Sequence, residues 1–380
     1  MLKVAYCTPW NIARDGIADY SEYLVAELRK NDLEVKILPL GYYISGKAFY
    51  EQLAKEANLC DICHIQFNYL YFNGEMPYRN MFIYFLRLVK VPVVITCHEV
   101  RLVDKAVIQA GKRDFRTGIY NNTLGFWRAL SYFMHRKIFA MAHKIIVHTQ
   151  SQLELARSLV EDKSKIIFLT HGIPVIPAAD LSYDAGQAKK ELGLENKRVL
   201  TIFGFVNTRK NYFLALDALK LLSQDVVLLI AGGPMTDNAT DTLFFMQLQM
   251  GVVEAGLGER VKITGYIKGE GSARIMAATD IALALFSSDT GSGALSLYLA
   301  YHKPVIASNI RSHIEINNSI QCLDILNKND PDELKSRTNF MLGNADKRKL
   351  LIKGASEYAR EYSYSRIASR TARIYRELLH

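Results

Sequence analysis

The chain has 380 residues, 49% hydrophobic and 22% charged, which excludes a disordered or low-complexity polypeptide. Its length exceeds what one ordinary core holds and suits two domains. The net charge of +9, from 47 basic and 38 acidic residues, favours anionic partners such as phosphates or lipid head groups without choosing among them.

Short apolar runs alternate with longer helical patterns, the signature of parallel α/β layers. Strands are predicted at 2–7, 35–39, 62–66, 91–97, 144–148 and 165–169, with a first helix near 18–30 that places Tyr20, Leu24 and Leu28 on one face. The pattern then restarts, with strands at 198–203, 226–231, 261–264, 281–285 and 304–308 and a helix at 212–222. Val- and Ile-rich runs such as Val91–Cys97 are what a parallel sheet covered on both faces requires. Two successive doubly wound units predict a cleft between them, with ligands at the carboxyl ends of the strands. The predicted domains are 1–175 and 188–360, joined through a stretch broken by Pro174 and Pro177. A last helix within 361–380 is expected to pack back toward the first domain.

No apolar run approaches the ~20 residues of a membrane span, and no basic segment precedes a long apolar one at the start. A cytoplasmic protein is expected, with any membrane contact at the inner face. Five scattered cysteines, Cys7, Cys60, Cys63, Cys97 and Cys322, argue for reduced thiols. Cys60 and Cys63 have metal or redox spacing, but no second pair follows and the run reads as a strand, so buried structural cysteines are expected.

Three segments suggest a diphosphate site. Gly291-Ser292-Gly293-Ala294-Leu295 lies between a strand and an apolar helix, where small residues let backbone N–H groups and the helix dipole meet an anion. Asn207-Thr208-Arg209-Lys210 follows a strand and can neutralise a leaving diphosphate. Asp15-Gly16-Ile17 opens the first helix with a glycine that allows close backbone approach. It lacks G-x-G-x-x-G spacing, and no acidic residue ends the second strand, which weighs against a nicotinamide or flavin enzyme. Histidines cluster at strand ends; His98, in Thr96-Cys97-His98-Glu99, is the best candidate for a substrate contact, ahead of His171 and His64. No pair of histidines has helical i, i+4 spacing and no Asp-x-Asp ends a strand, so no metal is expected.

These segments, taken in order over nearly the whole chain, resemble the retaining glycosyltransferases of family four, which have the GT-B fold. The matching stretches include Thr8-Pro9-Trp10, His64-Ile65-Gln66, Thr170-His171-Gly172-Ile173-Pro174, Phe203-Gly204-Phe205 with Lys210, Ala231-Gly232-Gly233-Pro234 and Thr264-Gly265-Tyr266. The resemblance implies two Rossmann-like domains. The N-terminal one would bind an acceptor, and the C-terminal one a nucleotide-sugar such as a UDP- or GDP-hexose. It implies no further cofactor, and retention at the anomeric carbon. Lys210, with Arg209 beside it, would hold the donor diphosphate. The amides of Gly293, Ala294 and Leu295, and those of Gly16 and Ile17, would approach the phosphates; His98 would lie beside the sugar. Two departures stand out. Thr290 and Tyr298 occupy the places of the family's Glu-x7-Glu pair, with Asp289 a substitute carboxylate, and Asn207 occupies that of its usual arginine. Asn207, Thr290, Tyr298 and His171 are the expected sugar or nucleotide contacts. A non-catalytic nucleotide-sugar-binding homologue and a sugar-nucleotide epimerase are the alternatives on the same architecture.

Residues 112–144 carry seven basic side chains against Asp114 alone, interleaved with aromatics. Such a segment suits an anionic membrane surface, and hence a lipid-linked or glycan acceptor, or else an amphipathic helix packed on the sheet. No nucleic-acid module is recognised, and no nucleic-acid partner is expected.

Overall fold

The computed structural model describes residues 1–380 except 13, 75, 77, 78, 101, 103–123, 236–238, 268–270, 290 and 380. The chain forms two compact units, Met1–Thr170 with Ser365–His380, and His171–Tyr364.

The first unit is built on a six-stranded sheet: β1 (Leu2–Thr8), β2 (Leu33–Pro39), β3 (Ile62–Phe67), β4 (Val93–Cys97), β5 (Lys144–Val147) and β6 (Ile166–Phe168), in the order β2-β1-β3-β4-β5-β6. Every pairing is parallel. All residues of β3 and β4 are buried, as expected for strands covered on both faces. Cys7, Cys60, Cys63 and Cys97 are free and buried there, and burial pushes the Cys60 thiol up. One face is packed with aromatics, the Phe67 and Phe82 rings stacking at 4.5 Å.

The second unit repeats the plan with β7 (Arg198–Phe203), β8 (Val226–Ala231), β9 (Val261–Ile263), β10 (Ile281–Ala284), β11 (Val305–Ala307) and β12 (Leu323–Ile325), in the order β12-β11-β10-β7-β8-β9. These pairings are parallel too. The edge strand β12 was not anticipated from the sequence; three residues, Leu-Asp-Ile, are too short to show a period. In each sheet the strand order reverses once, at β1/β3 and at β7/β10. Loops leaving such neighbouring strands in opposite directions open a crevice at their carboxyl ends.

The terminal helix Tyr364–Glu377 is sharply two-sided. Ile367, Ala368, Thr371, Ala372, Ile374 and Tyr375 are buried, while Arg366, Arg370 and Arg373 are exposed. Its far end is tied into the first unit: the Tyr375 hydroxyl bonds His64 Nδ1, and Arg376 donates to the Asn31 carbonyl at 2.8 Å. At its near end, Ile173 and Tyr362–Tyr364 pair through two backbone bonds of 2.9 and 3.0 Å. Gly172 lies flat against the Tyr364 ring, where a Cβ would come within 2.5 Å of the ring.

Candidate active site

At the β7/β10 reversal, the last peptide of β7 is held from both sides. The Phe203 N–H donates to the Tyr298 hydroxyl at 2.6 Å, and its carbonyl accepts from Lys210 Nζ at 2.6 Å. Gly204 follows with φ +88°, a conformation that favours glycine. A Cβ there would lie 3.0 Å from Lys210 Nζ and 3.7 Å from Ala294 Cβ. The Lys210 amine and the start of helix Gly293–Ala300 therefore converge on one point. Gly232 is required by the same crowding, because a Cβ would stand 2.1 Å from the Gly204 carbonyl oxygen. The Ser287 N–H donates to the Arg209 carbonyl at 2.8 Å, tying the loop after β7 to the loop after β10.

Lys210 is buried, with 6% of its surface exposed. Desolvation, aided by the neighbouring Arg209 charge, pulls its pKa down to about 7. Arg209 itself is exposed. Asn207 accepts the Arg209 N–H at 3.1 Å and so opens the single turn Thr208–Lys210, a local role that brings Lys210 inward.

The helix Gly293–Ala300 is capped by Ser292, whose hydroxyl accepts the Leu295 N–H at 3.2 Å. The Leu295 amide, expected at a phosphate, thus has an acceptor within its own turn. Gly293 and Ala294 remain as the donors at the helix start, where the dipole favours an anion. His171 lies over this turn, its Nδ1 3.3 Å from Ser296 Oγ and its ring beside Gly291. Tyr298, expected at the donor, is 1% exposed and its hydroxyl bonds the Phe203 N–H at the end of β7. Asp289 accepts the Ser312 N–H at 2.6 Å and so caps helix Arg311–Ser319. Its carboxylate is oriented by that helix. Thr290 lies outside the described residues.

In the first unit, Asp15 caps helix Gly16–Leu28. Its Oδ1 accepts the Ile17 and Ala18 N–H groups at 2.7 and 3.0 Å, and its Oδ2 accepts the Tyr42 and Tyr71 hydroxyls. The Ile17 amide, expected at a phosphate, likewise has an acceptor within its own turn. Gly16 is exposed and its missing Cβ faces open space, so internal packing does not demand a glycine here. His98, half-buried just past β4, bonds Gln66 Oε1 through Nε2 at 2.7 Å, and its ring meets Tyr20 edge-on at 4.9 Å. His64 is fully buried and burial pushes its pKa down to about 3. His148 donates from Nδ1 to the Leu169 carbonyl at 2.8 Å, a packing role.

Two features carried no role in the sequence reading. Phe205 and Tyr266 stack nearly parallel, 5.8 Å apart, beside Gly233; both stood in recognised segments, but nothing in the spacing pairs them. Gln66 is a fully buried amide in a buried strand. A lone polar side chain amid Ile, Cys and Phe was the available signal. Among the described residues, no three His, Cys, Asp or Glu side chains gather as a metal site would need.

Residues 184–358 match the family described as glycosyl transferases group 1. No curated protein matches the chain. Among solved structures it is similar to HepE of Anabaena in complex with UDP and glucose, at 13% identity over 98% of this chain and 99% of that one, TM-score 0.73. A sucrose-phosphate synthase of Thermosynechococcus elongatus is similar at 16% identity over 100% and 99%, TM-score 0.71. A UDP-forming trehalose-phosphate synthase of Burkholderia xenovorans is similar at 11% over 100% of each chain, TM-score 0.67. These likenesses establish the shared GT-B fold.

Lys210 has a testable effect on stability that does not depend on any ligand. Its native pKa of about 7 lies below the ordinary lysine value of about 10.4. Below pH 7 the folded protein therefore buries a full charge. Between pH 7 and 10 the native amine is neutral while the unfolded one is charged, and the cost is relieved as pH rises. Lys210→Met should accordingly stabilise the protein more at pH 6 than at pH 9 in urea denaturation. An equal gap at both pH values would contradict the buried-amine description.

Proposed function

We propose that the chain, of which residues 184–358 match the family of glycosyl transferases group 1, is a transferase that moves a hexose from a UDP- or GDP-sugar with retention at the anomeric carbon, without a metal ion. The observation that carries this reading is the convergence of Lys210 Nζ and the start of helix Gly293–Ala300 beside Gly204. A lysine amine that is readily protonated and a helix start close to it suit a diphosphate. They stabilise the charge that develops on the leaving group as the glycosidic bond breaks. Because they are fixed before the reaction, no metal is needed to supply that potential. Arg209, exposed beside Lys210, extends the positive field. His171 and Asp289 flank the same helix start. In the first unit, His98 is assigned to the transferred sugar and Gly16 to close backbone approach by the ligand.

The acceptor is read as a glycan or lipid-linked sugar at the inner face of a membrane. Helix Leu124–Met141 supports this: Phe126 and Phe133 are each 64% exposed, and Arg128, Arg136 and Lys137 are exposed as well. Exposed aromatics beside cations suit the head-group layer of an anionic bilayer. Met134, Ile138 and Phe139, on the other side of the helix, are buried in the first unit's core.

A thermal-shift panel of UDP-, GDP-, ADP- and dTDP-sugars and their diphosphates tests the donor. A ligand at about 100 times its Kd adds about 2.7 kcal/mol of apparent stability. One nucleotide class should raise Tm, and EDTA should leave transfer from that donor intact. No shift with any nucleotide would sink the reading, and strict dependence on Mg²⁺ or Mn²⁺ would sink its metal-free part. For the membrane, the native chain should sediment with vesicles containing phosphatidylglycerol and lose this on Phe126→Ser/Phe133→Ser. Equal sedimentation of both would remove the helix from the account.

A further inference from the structure

Helix Ala239–Glu254 of the second unit is apolar on both sides. Phe244, Phe245, Leu248 and Val252 pack on the unit's core. Leu243, Met246, Met250 and Val253 face the other way and are 52–74% exposed. Asp241 and Glu254 are the helix's only charged residues, two acids and no base. The exposed four recur at intervals of three, four and three residues, the a and d positions of a heptad. Phe213, of helix Tyr212–Lys220, widens this face. Its ring lies across Gly251, where a Cβ would come within 2.7 Å of it, and it stays exposed.

A helix apolar all round belongs inside a structure, yet the described residues leave one side of this one exposed. A seam of heptad spacing fits another helix with the same spacing. The chemistry at its borders narrows the partner. Gln247 and Gln249, both exposed, flank the seam, and an amide both donates and accepts, so each can pair with its own copy. Glu254 stands at the C-terminal end of its helix, where the dipole disfavours a carboxylate. A helix running the opposite way brings its N-terminal end alongside, where a carboxylate is favoured. An anionic membrane would meet only carboxylates on this helix, whereas interfacial helices carry Lys and Arg.

We propose that the outer face of helix Ala239–Glu254 is a self-association surface, on which a second copy of this chain seats the same helix antiparallel about a two-fold axis. Leu243 then packs on Val253 of the second copy and Met246 on its Met250, with Gln247 and Gln249 each beside its own counterpart. Such an isologous contact closes on itself and gives a dimer, not a filament. The contact lies wholly within the second unit and needs no ligand. A helix of 16 residues is about 24 Å long and about 10 Å across, so one side of it buries on the order of 400 Å². That is about half of the ~800 Å² per partner of a standard stable interface. The dimer is therefore reversible and forms at micromolar chain concentrations.

Sedimentation velocity of the full chain from about 1 μM to about 300 μM should show a monomer–dimer equilibrium. A monomer at every concentration overturns the proposal. Met246→Glu and Met250→Lys, each at an exposed site and checked for native circular dichroism, should each weaken the dimer about tenfold or more. Mixed in equal amounts they should recover it, because the antiparallel register sets the introduced carboxylate against the introduced amine. Recovery also shows that both variants are folded. Dimers that neither substitution weakens place the contact elsewhere and overturn the proposal; no recovery on mixing overturns the antiparallel pairing. A native monomer that floats with phosphatidylcholine vesicles, and loses this on Met246→Glu, makes the face a membrane contact and overturns the proposal too.

Discussion

The peptide of Phe203, held at its N–H by the Tyr298 hydroxyl and at its carbonyl by Lys210, fixes the end of β7. From there the loop after β7, the glycine turn after β8 and the helix after β10 take their places. Gly204 can turn at once because it is glycine. The β8 turn can press against it because Gly232 is one too. The arrangement holds an amine at a site where burial disfavours charge. A buried cation without a counter-charge is costly, and under the proposed function an arriving diphosphate supplies that counter-charge. Strain of this kind, kept at one point of an otherwise well-packed sheet, is characteristic of sites that wait for a ligand.

The two units differ in strand order, and the starts of helices Gly16–Leu28 and Gly293–Ala300 have opposite electrostatics. In the first unit, Asp15 brings its own carboxylate to the helix terminus, with four hydrogen bonds to hold it. That helix start is already neutralised from within. In the second unit, helix Gly293–Ala300 receives only the neutral Ser292 hydroxyl. The Lys210 amine lies close to that turn. Under the proposed function the anion is assigned to the second unit and His98 of the first to the sugar. At its far end, the C-terminal helix reaches His64 through Tyr375, and His64 adjoins the Gln66 amide. The end of the chain thus braces the His98 side of the protein.

Much of the fold could be read from the sequence because parallel strands buried on both faces are nearly unbroken runs of Val, Ile and Leu. Runs such as Val226–Ala231 admit little else, and two successive sets of them imply two sheets. Strand β12 escaped because three residues carry no period. The diphosphate loops were legible as places, since glycine and adjacent basic residues at strand ends have a chemical meaning. What each donor and acceptor in them does was not. Whether an amide such as that of Ile17 or Leu295 is available depends on a side chain two or three residues away turning back to cap it. Tyr298 was assigned to the ligand by its place in an alignment of motifs; its buried hydroxyl under β7 is a fact of packing. Gln66 met its partners only when three strands brought Tyr6, His64 and His98 around it.

Under the proposed function, Lys210 gains its charge when a diphosphate binds. Calorimetric titration of the free nucleoside diphosphate at pH 8, in two buffers of different ionisation enthalpy, measures this directly. With a native pKa of about 7, most of the amine is neutral at that pH, so binding should take up nearly one proton. Lys210→Ala should bind weakly and take up none. Tight binding with no proton uptake, or the same uptake in Lys210→Ala, would contradict the account.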